Sequence, residues 1–374
     1  MKNFCCFLLL LFLFIGLVGC AETKLLERVG LVTLIGYDLG KEEGVETTAV
    51  VRQVSTELES KVAVITAENE TSQGTRSKIN RRAAEKIMSG QLRGVLFGEE
   101  FAQDGIGHYI ENLLKNPAMS GDIIMAVVEG QTKALLEYQY PDIEDIGEHI
   151  YKLVEQNIKS EQVVSSTLHD VAKDYYFMGR DIAMPIIRRD EELIEISGIA
   201  LFKKDKMIGK LSIDDSFYVK LSRDDYHAGV FELKIKGDDL PSSLLKDPPD
   251  EINLVFDPIK THKEVKLVNP KTPEFDLYLT VQARLLEIKP NVNVGNSKKV
   301  EALEKAISKS LSSEISRVIA YCQNIGSDVF GYGEIYRSSV RHSELTEEKW
   351  HELYKEMKVN VHVDFTLLRS GVFE

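Results

Sequence analysis

The sequence predicts an α+β protein of two unlike halves behind a short apolar leader. Three observations carry this. Strand-like and helix-like runs alternate through the first third, the signature of a mixed α/β layer. The second half reads as strand-like runs punctuated by prolines, then one long helical stripe and a closing strand, which is an antiparallel sheet with segregated helices. And 374 residues with 28% charged and 43% hydrophobic side chains are enough material, of ordinary globular composition, for two or three cores.

The leader comes first. After Met1-Lys2-Asn3 the chain is apolar from residue 4 to 18, with one glycine and no charge. As a helix that stretch spans about 22 Å, short of the ~30 Å hydrocarbon thickness. It fits the apolar segment of a signal peptide at residues 1–19, with Lys2 as its positive end. It ends Leu17-Val18-Gly19-Cys20, an aliphatic residue and small residues before a cysteine. That is the bacterial lipobox, in which the thiol accepts a diacylglycerol before cleavage. At about 0.8 kcal/mol per buried CH₂, two acyl chains anchor a protein without a spanning helix. No later segment approaches ~20 continuous apolar residues, so the body beyond Cys20 is expected to be soluble.

In the N-terminal half, residues 29–38 and 45–55 are rich in Val, Thr and Ile around Gly40-Lys41-Glu42-Glu43-Gly44 and predict a strand, a turn and a strand. The polar stretch 57–77 reads as a loop. Residues 78–88 predict a helix with Ile79, Ala83 and Ile87 on one face, and 92–97 a buried strand. Two short helices follow at 99–104 and 107–115, stopped at Asn116-Pro117. Residues 123–128 read as a second buried strand, 144–159 and 166–177 as helices. Residues 196–202 and 207–211 around Lys203-Lys204-Asp205-Lys206 predict a hairpin. Arg223-Asp224-Asp225 interrupts the apolar pattern and marks a boundary. The expected units are therefore 20–222, with a further division near 190 as an option, and 226–374.

In the second unit, strand-like runs at 230–236, 252–257, 263–269 and 275–289 are separated by prolines at 241, 248, 249, 258, 270, 273 and 290. A helix is expected over 297–324, another over 344–357, and an alternating strand over 359–367. Val300, Leu303, Ile307, Leu311, Ile315, Val318 and Cys322 recur at three- and four-residue steps, the buried face of a helix. Cys5 and Cys6 leave with the leader and Cys20 is lipidated, so Cys322 is a lone thiol and is expected to serve as a small core residue.

The formal net charge is −13, and loss of Lys2 makes the remainder one unit more negative. This argues against nucleic acid as a partner and against electrostatic attachment to anionic lipid. No His pair has zinc-protease spacing, and no nucleophile elbow or phosphate loop is present. Gly331-Tyr332-Gly333 reads as a tight turn. The acid pairs Glu99-Glu100, Asp214-Asp215, Asp224-Asp225 and Asp238-Asp239 fall at helix starts and turns, where carboxylates favour the helix dipole. No catalytic residue, cofactor or metal is expected, and the only site residue is the lipid anchor Cys20.

Several stretches together resemble the Ger(x)C family of spore germination lipoproteins. They are Leu26-Glu27-Arg28 with Gly36-Tyr37-Asp38; Gly90-Gln91-Leu92-Arg93 leading to Leu96-Phe97-Gly98-Glu99-Glu100-Phe101-Ala102 and Gly105; and Leu114-Lys115-Asn116-Pro117. The hairpin Gly198-Ile199-Ala200-Leu201-Phe202 with Ile208-Gly209-Lys210-Leu211 follows, then Asp328-Val329-Phe330-Gly331-Tyr332-Gly333, Trp350 and a Val-rich strand closing at Gly371. The matches keep the family's order. One departure is Ala21-Glu22 after the lipidated Cys, where the family carries Trp-Asp. The resemblance implies a non-catalytic C subunit of a nutrient germinant receptor on the outer face of the spore inner membrane. It also implies membrane-embedded, transporter-like A/B-type subunits as partners, and a role in receptor assembly and the germination response. The alternative is a solute-binding lipoprotein of an ABC importer, which would show two similar lobes about a hinge.

Overall fold

The computed structural model describes residues 29–53, 61–224, 229–242, 244–245, 249–290, 292 and 296–368. The signal peptide, Cys20, the motif Leu26-Glu27-Arg28, Asp225 and Gly371 lie outside the described residues.

The first half is built on a nine-stranded mixed sheet. Its strands are β1 (Val29–Leu39), β2 (Val45–Gln53), β3 (Lys61–Asn69), β4 (Lys86–Met88), β5 (Gly94–Gly98), β6 (Ile124–Val128), β7 (Ala183–Asp190), β8 (Leu193–Lys203) and β9 (Lys206–Ser212). The order is β3-β2-β1-β5-β6-β7-β8-β9, with β4 beside the start of β1. The centre, β1, β5, β6 and β7, is parallel; antiparallel strands extend it on both sides. The parallel strands β5 and β6 are buried on both faces and read as continuous apolar runs, as crossover helices on both sides demand.

One face carries α1 (Ser72–Arg82), α2 (Glu99–Asp104), α3 (Gly107–Lys115) and α6 (Leu168–Tyr176) over a core that includes Val95, Phe97, Ile110 and Val171. The other carries α4 (Thr132–Leu136) and α5 (Ile146–Lys159) over Leu34, Leu96, Ile150 and Val154. Asp145 caps α5 by accepting from the Glu148 amide at 3.0 Å.

The second half is a four-stranded sheet in the order β10 (Phe231–Lys236), β11 (Glu251–Asn269), β12 (Glu274–Lys289) and β13 (Lys358–Leu367). The 29-residue α8 (Ser297–Ile325) lies against it. The first three strands are antiparallel, but β13 runs parallel to β12. Parallel pairing requires a long crossover, and α8, α9 (Tyr332–Ser339) and α10 (Glu347–Lys355) supply it. Gly326, left-handed at φ +83°, ends α8. Cys322 is fully buried on the predicted stripe, and burial pushes its thiol far up.

Between the sheets runs α7 (Ile213–Arg223), buried on nearly every side. It joins Ile199 and Leu201 of β8 to Leu233, Phe256 and the α8 stripe in a single core. Alternation along β8 makes this possible: Ile199 and Leu201 face that shared core, while Ala200 and Phe202 face the core of the first sheet. Arg223, at the end of α7, donates to Asp174 of α6 at 2.5 Å, a pair shielded from solvent on both sides.

Several elements differ from expectation. Residues 61–69 are not loop but edge strand β3, in continuous register with β2; within the polar stretch, Val62-Ala63-Val64-Ile65 is a strand-like run that pairs along β2. The helix predicted at 78–88 starts earlier, at Ser72, because the Thr71 hydroxyl accepts from the Gly74 amide at 3.1 Å, and ends at Arg82, after which 86–88 pair with β1. The runs 252–257 and 263–269 are one strand, which absorbs Pro258 at a register shift between Phe256 and Ile259. The elements β7, α4, α7 and α9 were not anticipated.

Candidate functional site: two buried carboxylate hubs

Two of the sequence stretches singled out above become buried carboxylates. In the first, Asp38 at the end of β1 is 3% exposed. It accepts from the Thr132 amide at 2.8 Å, the Thr132 hydroxyl at 2.7 Å and the Lys133 amide at 2.9 Å, so it caps α4 from across the sheet. Gly36 is required by the same contact: a Cβ there would sit 2.3 Å from the Thr132 hydroxyl. Between them, Tyr37 turns to the opposite face and packs its ring against Phe97, Phe101 and Tyr109 at centroid distances of 6.0, 6.0 and 4.8 Å.

The second hub joins the two halves. Asp328, fully buried after α8, has both carboxylate oxygens saturated. One accepts from the Gly331 and Tyr332 amides at 2.9 and 3.1 Å. The other accepts from the Gly333 amide at 2.8 Å and the Trp350 indole N–H at 2.9 Å. The Gly-Tyr-Gly turn is therefore a cradle of backbone donors around a carboxylate supplied by its own chain.

Asp181 meets this turn from the first half. Its amide donates to the Asp328 carbonyl at 2.9 Å, and its carboxylate accepts from the Asp328 amide at 2.7 Å and the Lys204 amide at 3.1 Å. The Glu334 amide donates to the Gly179 carbonyl at 3.1 Å. Gly179 and Gly333 touch so closely that a Cβ on Gly333 would lie 2.4 Å from the Gly179 Cα. Ser327 donates to the Phe202 carbonyl at 2.6 Å, and the Tyr354 hydroxyl to the Ser327 carbonyl at 3.0 Å.

The electrostatics follow from burial. Burial pushes the Asp328 carboxyl up to about 7; the nearby Asp181 charge adds to this, while the donors of Gly333, Tyr332 and Trp350 resist it. His351 Nε2 lies 3.4 Å from the Asp181 carboxylate, and its Nδ1 is 2.9 Å from the Glu347 carbonyl. Burial pulls this imidazole down, but Asp181 and that carbonyl outweigh it and hold it above its ordinary value. With every lone pair of Asp328 taken, the arrangement leaves this carboxylate no free acceptor. What it can do is hold two sheets in one orientation.

The acid pairs sit where caps and turns place them. Glu99 and Glu100 open α2, Asp214 and Asp215 open α7 beneath the Ser212 cap, and Asp238-Asp239 lie in a one-turn 3₁₀ helix. Asp224 follows α7. Asp38, Asp181 and Asp328 carried no sequence signal as isolated acids. Their only hint was company: Gly36 for Asp38, and Gly331, Gly333 and the lone Trp350 for Asp328.

Comparison with known proteins identifies the family. The profile described as "Spore germination protein N-terminal domain" matches residues 22–189, and "Spore germination B3/ GerAC like, C-terminal" matches residues 197–371. The chain belongs to the Ger(x)C family. Both hubs thus lie in matched regions of this Ger(x)C protein. Spore germination protein GerQC of Bacillus cereus is 25% identical over 368 residues, covering 98% of this chain and 99% of that one. The putative spore germination protein YfkR of Bacillus subtilis (strain 168) is 19% identical over 320 residues, 83% and 79% of the two chains. The crystal structure of the GerBC protein shares the fold, with a TM-score of 0.53 at 14% identity over 90% of this chain and 97% of that one.

Proposed function

We propose that this Ger(x)C protein is the lipid-anchored, non-catalytic C subunit of a spore nutrient germinant receptor. Cys20 carries the lipid and holds the body on the outer face of the spore inner membrane. There it assembles with membrane-embedded, transporter-like A/B-type subunits and supports receptor assembly and the germination response. The carrying observation is the match to both family profiles across nearly the whole chain, behind Leu17-Val18-Gly19-Cys20. Among the described residues no helix is long and apolar enough to cross a membrane, so attachment through a lipid is consistent with the fold. In this reading the processed chain divides into 20–222 and 226–374, with the Asp181–Asp328 hub holding the two units in one orientation. The two sheets differ in size and strand order, which speaks against the paired lobes of an importer's solute-binding lipoprotein.

Cys20→Ala tests the anchor. Metabolic labelling with a fatty acid should mark the wild type and not the variant, and spores carrying the variant should lose the nutrient response while leaving the partner subunits intact. Equal label on both proteins would refute the anchor; a normal response from unanchored protein would refute the receptor role assigned to it.

A further inference from the structure

The face of the first sheet that carries Val32, Ile35 and Tyr37 is not filled up to the helices above it. A cavity of about 100 Å³ lies between β1 and β2 on one side and α1 and α3 on the other. Ile35, Tyr37, Tyr109 and Met119 pack against the neighbouring core yet stay only part-buried, and all four line this space. A bulge in β1 sets the arrangement. Val32 opposes Val51 while Leu34 opposes Val50, so Thr33 is the extra residue, and Ile35 and Tyr37 are delivered to the cavity face.

The walls are apolar and the rim is polar, with one charge. Among the described residues, Arg76 of α1 is the sole Lys or Arg in the lining and no Asp or Glu lines it; Asp104 lies outside the lining but within electrostatic reach of the Tyr109 hydroxyl. Arg76 is exposed and makes no ion pair among the described residues. The hydroxyls of Tyr37 and Tyr109 make no hydrogen bond among the described residues. Burial and the adjacent Tyr109 push the Tyr37 hydroxyl up, and Arg76 pulls it back, which puts the guanidinium within electrostatic reach of that hydroxyl. The other buried hydroxyls of the lining are spoken for: Thr47 donates to Thr75 at 2.9 Å, and Thr75 to the Ser72 carbonyl at 2.7 Å.

We propose that this cavity binds a small aliphatic carboxylate. About 100 Å³ is the room of three to four water-sized groups, enough for a branched four-carbon tail at its mouth and less than the ~150 Å³ that admits benzene. The carboxylate would lie on Arg76, whose planar fork suits it, with the Tyr37 and Tyr109 hydroxyls as further donors. An α-amino acid of the same shape brings an ammonium group for which the lining offers no carboxylate. The proposal rests on this geometry alone and not on the receptor reading.

The test uses the full lipidated protein in detergent micelles, titrated with isovalerate and followed by saturation-transfer NMR. Isovaleramide and valine serve as the neutral and zwitterionic comparators. Saturable isovalerate binding is expected, weakened at least about tenfold in the amide and in Arg76→Gln. Ala49→Leu, which fills the floor, should abolish it. Arg76 is exposed, so Arg76→Gln keeps its fold and carries the test even if Ala49→Leu disturbs packing. No saturable binding up to about 10 mM with folded wild type would overturn the proposal. So would equal affinity of wild type and Arg76→Gln, or tighter binding of valine than of isovalerate.

Discussion

Asp328→Ala should separate the two halves energetically, and the size of the effect follows from the four bonds to its carboxylate. Removal leaves the amides of Tyr332 and Gly333 and the Trp350 indole N–H without their acceptor, while the Gly331 amide keeps its longer bond to the Asp328 carbonyl at 3.3 Å. A buried donor left unpaired costs about 1–3 kcal/mol, so three give about 3–9 kcal/mol if the space stays dry. Against this, the substitution removes a buried charge. A carboxyl pushed from 3.8 to about 7 holds roughly 4 kcal/mol of unfavourable ionisation at pH 8. Taking the middle of the first range leaves a net loss of about 2 kcal/mol, a sizeable part of the roughly 5–15 kcal/mol that holds a domain folded. The protein supplies its own probe, because Trp350 is its one tryptophan, is 1% exposed, and touches Asp328 directly. Urea unfolding at pH 8 followed by tryptophan emission should show a lower midpoint and red-shifted emission at lower denaturant than wild type. Asp328→Asn, which keeps one acceptor oxygen, should fall between the two. An Asp328→Ala variant at least as stable as Asp328→Asn, with Trp350 still buried, would refute the reasoning, since only the alanine removes every acceptor oxygen of the side chain.

Further outcomes follow from the same structure. Asp328 is raised above its unfolded value, so between about pH 4 and 7 the folded chain holds a proton that the unfolded chain has released; His351 is also raised, so its contribution is likewise present at lower pH and lost as pH rises. Tryptophan-detected stability should therefore be greater at pH 5.5 than at pH 8, and Asp328→Asn should flatten that slope; stability rising with pH in this window would contradict the assignment. Asp38→Ala removes the cap of α4 and orphans two amides and a hydroxyl, with an expected cost of about 2–4 kcal/mol by urea denaturation; an unchanged midpoint would show that water replaces the carboxylate. Cys322→Ser should cost about 1–3 kcal/mol and Cys322→Ala less, and the native thiol should resist a thiol reagent until the chain unfolds; rapid native labelling would place it at the surface. Gly333→Ala drives a Cβ into the Gly179 Cα and the Trp350 ring, so it should destabilise the junction more than Gly90→Ala, whose Cβ meets nothing within 4 Å.

Local periodicity and ordered motifs made part of this protein legible from its residues alone. The helical stripe ending at Cys322, the buried runs of β5 and β6 and the hairpin of β8 and β9 were all legible, because apolar spacing reports directly which face a chain must bury. The family was legible too, since its motifs recur in order along the chain. Long-range pairing decided the rest. The edge position of β3 follows from its pairing with β2, β11 passes Pro258 because its neighbour tolerates a register shift, and β13 is parallel because α8 carries the chain back across the sheet. The hubs lay furthest from view. Asp38 finds its donors 94 residues away and Asp181 meets Asp328 across 147 residues. A carboxylate's environment is set by whatever folds against it in space, and a one-dimensional pattern carries no record of that.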